Sequence, residues 1–504
     1  MKVTYESPRF LVTAKYEERE LLKKFRFEWC PQQRRWYTTN PKAVRSFLRA
    51  HSADYDSETA TKLENSLITI APWEGPDLSW PDGLEAKAFQ CQGAFWALDR
   101  NYSYIASDPG TGKTIMESLI INALPDSPVV VVNQPALVYN TISEFEKWVI
   151  GWKKRKNSNV LIIPDSMLHD PLGSRPYFDQ VRELTKLGGA TLLVDEAQRF
   201  NHEDSLRSQA LFKLARFFDR VVFFSGTPLR NDRLMELWPI VSRFAPECID
   251  FRSHGQYAFR YCEAYFDRWN KLKADGAANE EELFSNLKKT FMKRIRKEDV
   301  LTELPAKTEE IVFLSDELPT EVAQFERENL KKLSPRDLVK PSITQSPHLA
   351  TYRRLLGRAI LPLAVDFISG ELERGNESFV IFGEHVEVME TLAKKLKEYN
   401  PIIISGKTEM SQRKVLADRF QEGKSRVFLG QVQACGLGFT LTKATRVIHV
   451  EPGWVPADTD QANDRTHRIG QTSPVHVQYL AVRNSLHCAI LERQLEKRIT
   501  LRKL

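Results

Sequence analysis

The stretch Ser107-Asp108-Pro109-Gly110-Thr111-Gly112-Lys113-Thr114 decides how this chain is read. Small residues let successive backbone N–H groups curl around an anionic group, while Lys113 adds a point charge and Thr114 a hydroxyl suited to magnesium. The usual pattern is Gly, four residues, then Gly-Lys-Ser/Thr, and here Ser107 replaces the first glycine. Context supplies the check. Tyr102-Ser103-Tyr104-Ile105-Ala106 is a short β-prone run, and residues 115–121 carry apolar side chains on a helical face, so the loop joins a buried strand to a helix. The alternative is a Gly/Pro turn that merely reverses the chain, and Lys-Thr at the helix start speaks against it.

Further along, Ala190-Thr191-Leu192-Leu193-Val194 is an apolar strand ending in Asp195-Glu196-Ala197-Gln198. Carboxylates at a strand's end can reach a nucleotide. Asp195 is placed to hold magnesium with Thr114, Glu196 to orient and deprotonate a water, and Gln198 to sense the terminal phosphate. A solvated acidic turn capping a helix is the plain alternative. Asp108, Gly110, Thr111, Gly112 and Lys113 complete this half of a candidate ATP site. Asp464-Arg465-Thr466-His467-Arg468-Ile469-Gly470-Gln471 lies far away in sequence and offers Arg465 and Arg468 to the same phosphates from a separate lobe.

The chain has 504 residues, room for about three globular units. Hydrophobic residues make up 42% and charged residues 27%, which excludes a disordered chain. No apolar run approaches the roughly 20 residues needed to span a bilayer, and no signal peptide is visible. Six scattered cysteines with no Cys-x-x-Cys pair indicate neither a zinc site nor a disulfide framework, so a reducing, cytoplasmic setting is expected. Net charge is +6, with basic clusters at residues 153–156 and at Lys288, Lys289, Lys293, Arg294, Arg296 and Lys297. Such clusters suit a polyanionic track and equally suit a solvated face.

Short apolar runs alternate with helical patterns in two blocks, about residues 85–250 and 375–485, which reads as α/β with buried parallel strands. The expected strands are 129–132, 160–163, 191–194 and 221–224 in the first block. Those in the second are 379–382, 402–404, 427–429, 447–450 and 475–480. Residues 250–370 between them are charge-rich and mostly helical in pattern.

These residues resemble superfamily-two helicase motors of the SWI/SNF type. The resemblance runs from about residue 84 to 497. Phe89-Gln90 followed by Gly93 is similar to the glutamine motif that reads adenine, which would make Gln90 a nucleotide contact. Gln134-Pro135-Ala136-Leu137 is similar to the family's next motif, and Gln198 stands where the usual sequence has His. Ser225-Gly226-Thr227-Pro228-Leu229-Arg230-Asn231 matches the motif that couples ATP to DNA. In the second half Gly436, Gly438 and Thr440, then Trp454, then the Arg-Ile-Gly-Gln ending, complete an ordered set. The resemblance implies two RecA-like parallel-sheet lobes with helical insertions, 84–250 and 373–504, joined by a 251–372 linker. It further implies a Mg-ATP-dependent translocase on duplex DNA, with Ser225, Thr227, Gly436, Gly438, Thr440 and Trp454 facing or coupling to DNA. Phe259-Arg260-Tyr261-Cys262-Glu263-Ala264 and Leu304-Pro305-Ala306-Lys307 look like the annealing-helicase branch, whose members rewind DNA and remodel stalled forks.

Residues 1–70 stand apart as a small accessory domain, loosely similar to the HARP-type domain of that branch. Trp29, Arg34, Arg35 and Trp36 interleave aromatic and basic side chains, a workable surface for unpaired bases. Alternatively Trp29, Trp36 and Phe27 form a miniature core. A strand-separating helicase, a nucleosome remodeller and a catalytically dead scaffold are the rival functions. DNA with little sequence preference is the expected partner, with a single-strand-binding protein as a further candidate, no membrane association and a monomeric state.

Overall fold

The computed structural model describes residues 1–6, 9–14, 18–24, 27–31, 34–38, 44, 47–48, 54–60, 77–168, 176–186, 188–229, 233–249, 253–330, 347–435 and 439–501. Five amino-terminal strands are β1 (Lys2–Glu6), β2 (Arg9–Thr13), β3 (Glu28–Cys30), β4 (Arg35–Thr38) and β5 (Asp54–Tyr55). They form a sheet in the order β3-β4-β2-β1-β5, antiparallel except for the β1–β5 pair. Val3, Phe10, Val12, Phe27, Trp36 and Phe47 gather into a core of its own. The miniature-core alternative therefore holds for Phe27 and Trp36, and Trp36 offers no free face to a base. Trp29 pairs with Trp36 across the β3–β4 register on the same face of the sheet, its ring edge-on at 5.6 Å, and remains exposed because β3 lies at the edge of the sheet while β4 lies inside it. Arg35 is tied to Glu6 at 3.1 Å, and Arg34 turns the corner before β4 with a φ of 51°.

The first large sheet contains β6 (Tyr102–Ser107), β7 (Val129–Asn133), β8 (Val160–Pro164), β9 (Thr191–Val194) and β10 (Arg220–Ser225). After a two-stranded hairpin, β11 (Tyr265–Phe266) and β12 (Leu272–Lys273), the chain adds β13 (Met292–Ile295) to the same sheet. The order is β13-β6-β10-β9-β7-β8 and every pairing is parallel. Val129 to Val132 are all fully buried, because helices cover both faces of a parallel sheet and leave no polar side to alternate with. Burying each such side chain is worth about 1.5–3 kcal/mol. Two apolar clusters, one on each face, include residues from alternate positions of these strands.

The second sheet contains β14 (Lys307–Ser315), β15 (Phe379–Gly383), β16 (Ile402–Ile404), β17 (Val427–Gln431), β18 (Arg446–His449) and β19 (Val475–Val482). Its order is β14-β19-β18-β15-β17-β16, again wholly parallel. The segment expected to be mostly helical thus supplies an edge strand to each sheet, β13 to the first and β14 to the second. Neither edge strand is a continuous apolar run: β13 reads Met-Lys-Arg-Ile and β14 is only partly buried along its length. No helix among the described residues is long and apolar enough to cross a membrane.

Candidate active site

In a parallel sheet, the loops at the carboxyl ends of the strands converge on one edge. In the first lobe β6, β10 and β9 lie side by side and deliver Ser107, Ser225 and Asp195 to that edge. The loop after β6 turns through Gly110 and Gly112, at φ 83° and 87°, values that favour glycine. A Cβ at Gly112 would overlap the Gln90 amide, and one at Gly226 would sit 2.8 Å from Pro109 Cγ and 3.2 Å from Lys113 Nζ. Side chains there would fill the space the loop encloses.

The loop is fastened from within. Gln90 Nε2 donates to Thr111 O at 2.9 Å, and Gln90 Oε1 accepts from Lys87 N at 2.9 Å. Both ends of the Gln90 amide are therefore engaged by the protein. The Thr111 hydroxyl meets the carbonyl of Asp108 and the hydroxyl of Ser107, each at 2.6 Å, and Lys113 Nζ donates to Ser107 O at 3.2 Å. The helix Lys113–Ala123 begins at once, presenting Thr114 in its first turn.

Asp195 and Glu196 follow β9 and are both buried. Glu196 has a φ of 51°, a backbone that non-glycine residues adopt uncommonly and that often marks a functional corner. Burial and the neighbouring Glu196 carboxylate push the Asp195 carboxyl up to about 7, against the opposing pull of Lys113 and Arg465 and the hydrogen bond from Glu196 N. Glu117, on the phosphate-loop helix, is fully buried and also held well above the usual carboxylate range by burial and by Asp195. Ser225 Oγ donates to Gln198 Oε1 at 2.6 Å, and Gln198 Nε2 donates to Glu196 Oε2. Gln461 Nε2, from the second lobe, donates to Glu196 Oε1 at 3.2 Å. One carboxylate thus receives hydrogen bonds from both lobes. Thr227 N, one residue beyond Gly226, donates to Ser225 Oγ at 3.0 Å.

The second lobe meets the phosphate loop directly, since a Cβ at Gly110 would come within 2.9 Å of Arg468 Cβ. Arg468 Nη1 donates to Phe439 O at 3.2 Å, and burial lowers its guanidinium's affinity for protons. Lys297, just after β13, ties the lobes together: its Nζ pairs with Asp464 Oδ1 at 2.5 Å and donates to His467 O at 2.8 Å, and its backbone N–H donates to Asp108 Oδ2 at 2.8 Å. Arg294 holds the other oxygen of Asp108 at 2.6 Å.

Of the residues expected at the site, the phosphate loop, Gln90, Asp195, Glu196, Gln198, Ser225, Thr227, Arg465 and Arg468 gather at this cleft. Thr440 is exposed, and Trp454 lies under the Arg353 guanidinium at 4.9 Å. Gly436 and Gly438 lie outside the described residues. The amino-terminal residues Trp29, Arg34, Arg35 and Trp36 belong to a separate sheet. Lys297, Arg294, Asp464 and Glu117 were not expected there. Arg294 and Lys297 belong in sequence to a basic cluster that suits a track or solvent, yet both turn inward to carboxylates. Lys297 and Asp464 are each little more than a tenth exposed. The signal that could have found Glu117 is a carboxylate three residues after Thr114, on a helix otherwise apolar at that face.

A model described as the SNF2-related domain matches residues 89–340, and one described as the helicase conserved C-terminal domain matches residues 362–470. Among curated proteins, the chain is similar to the "SWI/SNF-related matrix-associated actin-dependent regulator of chromatin subfamily A-like protein 1" of Xenopus laevis. The two are 28% identical over 84% of this chain and 45% of the relative. It is also similar to the "DNA annealing helicase and endonuclease ZRANB3" of Homo sapiens, 28% identical over 81% of this chain and 39% of the relative. The chain therefore spans less than half the length of these relatives. Among solved structures, the Sulfolobus solfataricus SWI2/SNF2 ATPase core in complex with dsDNA aligns over 85% of this chain and 94% of that one. The identity there is 19% and the TM-score 0.37.

Proposed function

The chain belongs to the SNF2-related family, and we propose that it is a DNA-dependent ATPase that moves along duplex DNA and remodels or reanneals forked and branched junctions. The single observation that carries this reading is the Glu196 carboxylate, held by Gln198 of its own lobe and Gln461 of the other. A water-activating base that both lobes must position makes hydrolysis depend on their closure, which is what a motor requires.

In this reading the backbone N–H groups of residues 110–113 and the Lys113 ammonium bind the β- and γ-phosphates of ATP. Thr114 and Asp195 would hold magnesium, whose charge neutralises that developing on the phosphates. The residues fit that ion by their donor chemistry, because the buried Asp195 carboxylate at the end of β9 and the Thr114 hydroxyl in the first turn of the phosphate-loop helix are hard oxygen donors of the kind magnesium takes. Glu196 accepts the proton of the attacking water. Arg465 and Arg468 stabilise the transferring phosphoryl group, a role worth about 10³ to 10⁵ in rate for an arginine finger. Gln90 fixes the loop through Thr111 and would reach the base with the second N–H of its amide. The path Ser225–Gln198–Glu196–Gln461 then relates the state of the coupling segment to the base and to the second lobe. Contacts to the DNA backbone explain little sequence preference. The relatives' printed names, an annealing helicase and a chromatin regulator, support DNA as the track. The motor is proposed to act as a monomer, with a single-strand-binding protein as a candidate partner.

The test is ATP turnover measured without DNA and with single-stranded, duplex and forked DNA. Stimulation by duplex, greater with forks, is expected; turnover indifferent to all three would overturn the reading.

A further inference from the structure

The β11–β12 hairpin leaves the first lobe as a spike and is used by nothing in the ATP site. Its aromatic side chains are on the outside. Phe259 on the preceding helix His254–Tyr261, with Tyr265, Phe266 and Trp269 on the hairpin, are between 53% and 65% exposed. Ordinary surfaces scatter such residues singly, whereas a contiguous group marks a binding surface. Here Phe259 and Phe266 stand together with ring centroids 5.8 Å apart, and the Arg268 guanidinium lies 3.9 Å over the Trp269 ring. Arg268, Lys271 and Lys273 are exposed, and Lys273 sits directly opposite Tyr265 in the strand register.

The tip is stiff. Asp267 Oδ1 accepts from Trp269 N and Lys271 N, each at 2.9 Å, and Asp267 N donates to Lys271 O at 2.9 Å. Asn270 takes the left-handed turn position at φ 57°. The root is also anchored: Gly276 N donates to Cys262 O, Ala278 N to Tyr261 O, and Asn279 Nδ2 to Arg260 O at 2.8 Å. Asp275 pairs with Arg233 at 3.2 Å, which sets the spike against the chain that follows the Ser225 to Asn231 segment. A two-stranded hairpin has little stability of its own, so this anchoring is what holds four apolar rings in water.

We propose that this hairpin is a stacking wedge for unpaired nucleotides where two DNA strands part or rejoin, with Trp269 and the Phe259–Phe266 pair as platforms. The inference rests on the DNA-motor reading and deepens it by naming a junction-recognising element on the motor itself. Every base has a π-face, so aromatic rings accept any sequence, and the flanking cations answer the phosphates between them. A protein-binding patch would use the rings without needing three basic neighbours.

The experiment uses the full chain with the double substitution Phe266→Ala and Trp269→Ala, both exposed, and separately Trp269→Phe, which keeps a ring. Binding of a single-stranded oligonucleotide and of a fork is read by fluorescence anisotropy, alongside ATP turnover on blunt duplex. The double variant is expected to weaken single-strand and fork binding roughly 10- to 100-fold. Trp269→Phe should retain most of the parent's binding, and duplex-stimulated turnover should stay at the parent level in both variants. Unchanged single-strand and fork affinity in the double variant overturns the wedge and leaves the hairpin to a protein partner, while duplex stimulation of the parent shows the motor reading still standing. If the parent itself shows no stimulation by any DNA, the motor reading fails first and the wedge with it. Equal loss on blunt duplex also overturns the proposal, since the hairpin would then be part of the general track.

Discussion

Glu196 and Arg468 face the same cleft from different lobes, and their substitutions should fail differently. Glu196→Gln keeps the hydrogen-bonding shape but not the base, so turnover is expected to fall about 10² to 10⁴-fold with ATP binding retained. Near-parent turnover would remove Glu196 from that role. Arg468→Ala is expected to cut turnover about 10³-fold or more at unchanged DNA affinity, as the role proposed for it at the transition state requires; a loss confined to DNA affinity would assign it to the track. At this scale the sequence was most readable where spacing is dictated by chemistry. Lys113, Thr114, Asp195 and Glu196 announce themselves because a phosphate loop and a strand-end acid pair admit few residue types. Lys297 and Arg294 did not, since a basic run looks alike whether it faces water or, as here, the carboxylates of Asp464 and Asp108.

Among elements, the apolar strands were legible, the edge strands β8 and β16 included, and the two charged edge strands were not. Val129–Asn133 and Phe379–Gly383 are continuous apolar runs because helices cover them twice over. By contrast Met292–Ile295 and Lys307–Ser315 each have one neighbour and carry charges, which in a single sequence resembles a solvated helix. The short helix Lys297–Val300 after β13 begins with the residue that binds the second lobe. Lys297→Met would leave the Asp464 carboxylate without that cation, and breaking a buried pair in this way costs about 3–5 kcal/mol. The expected result is a larger radius of gyration by small-angle scattering and turnover lowered at least roughly tenfold. Parent values for both would mean that the pair does not hold the lobes together.

For the molecule as a whole, stability and substrate choice should separate by lobe and by domain. In the second lobe His487 is fully enclosed, and burial holds it down to about 4, partly opposed by Glu451 and reinforced by Arg353 and His385. The folded state therefore keeps it neutral while the unfolded chain protonates near 6.5. The stability it contributes is present above about 6.5 and lost as pH falls toward 4, up to about 3 kcal/mol. His487→Gln should flatten the acid limb of the unfolding midpoint between pH 6.5 and 4, which thermal melts across that window would read; an unchanged limb would exclude His487 as the source. The amino-terminal sheet has a core separate from both lobes, so removing residues 1–70 is expected to leave duplex-stimulated turnover intact and to reduce any preference for forks. Equal fork and duplex ratios before and after removal would exclude a role in junction choice. That domain was only half legible, because Trp29 and Trp36 are the same residue type, and only the strand order, with β3 at the edge and β4 inside, leaves one ring exposed and buries the other. Finally, β13 and β14 are edges of different sheets, yet only residues 296–306 separate them, a span of at most about 40 Å if fully extended. Each lobe is thereby a permanent near neighbour of the other, present at an effective concentration in the millimolar range. Opening and closing is accordingly a first-order event, as fast in a single molecule as in a concentrated solution, and either lobe so tethered can swing away from the cleft without ever losing its other half.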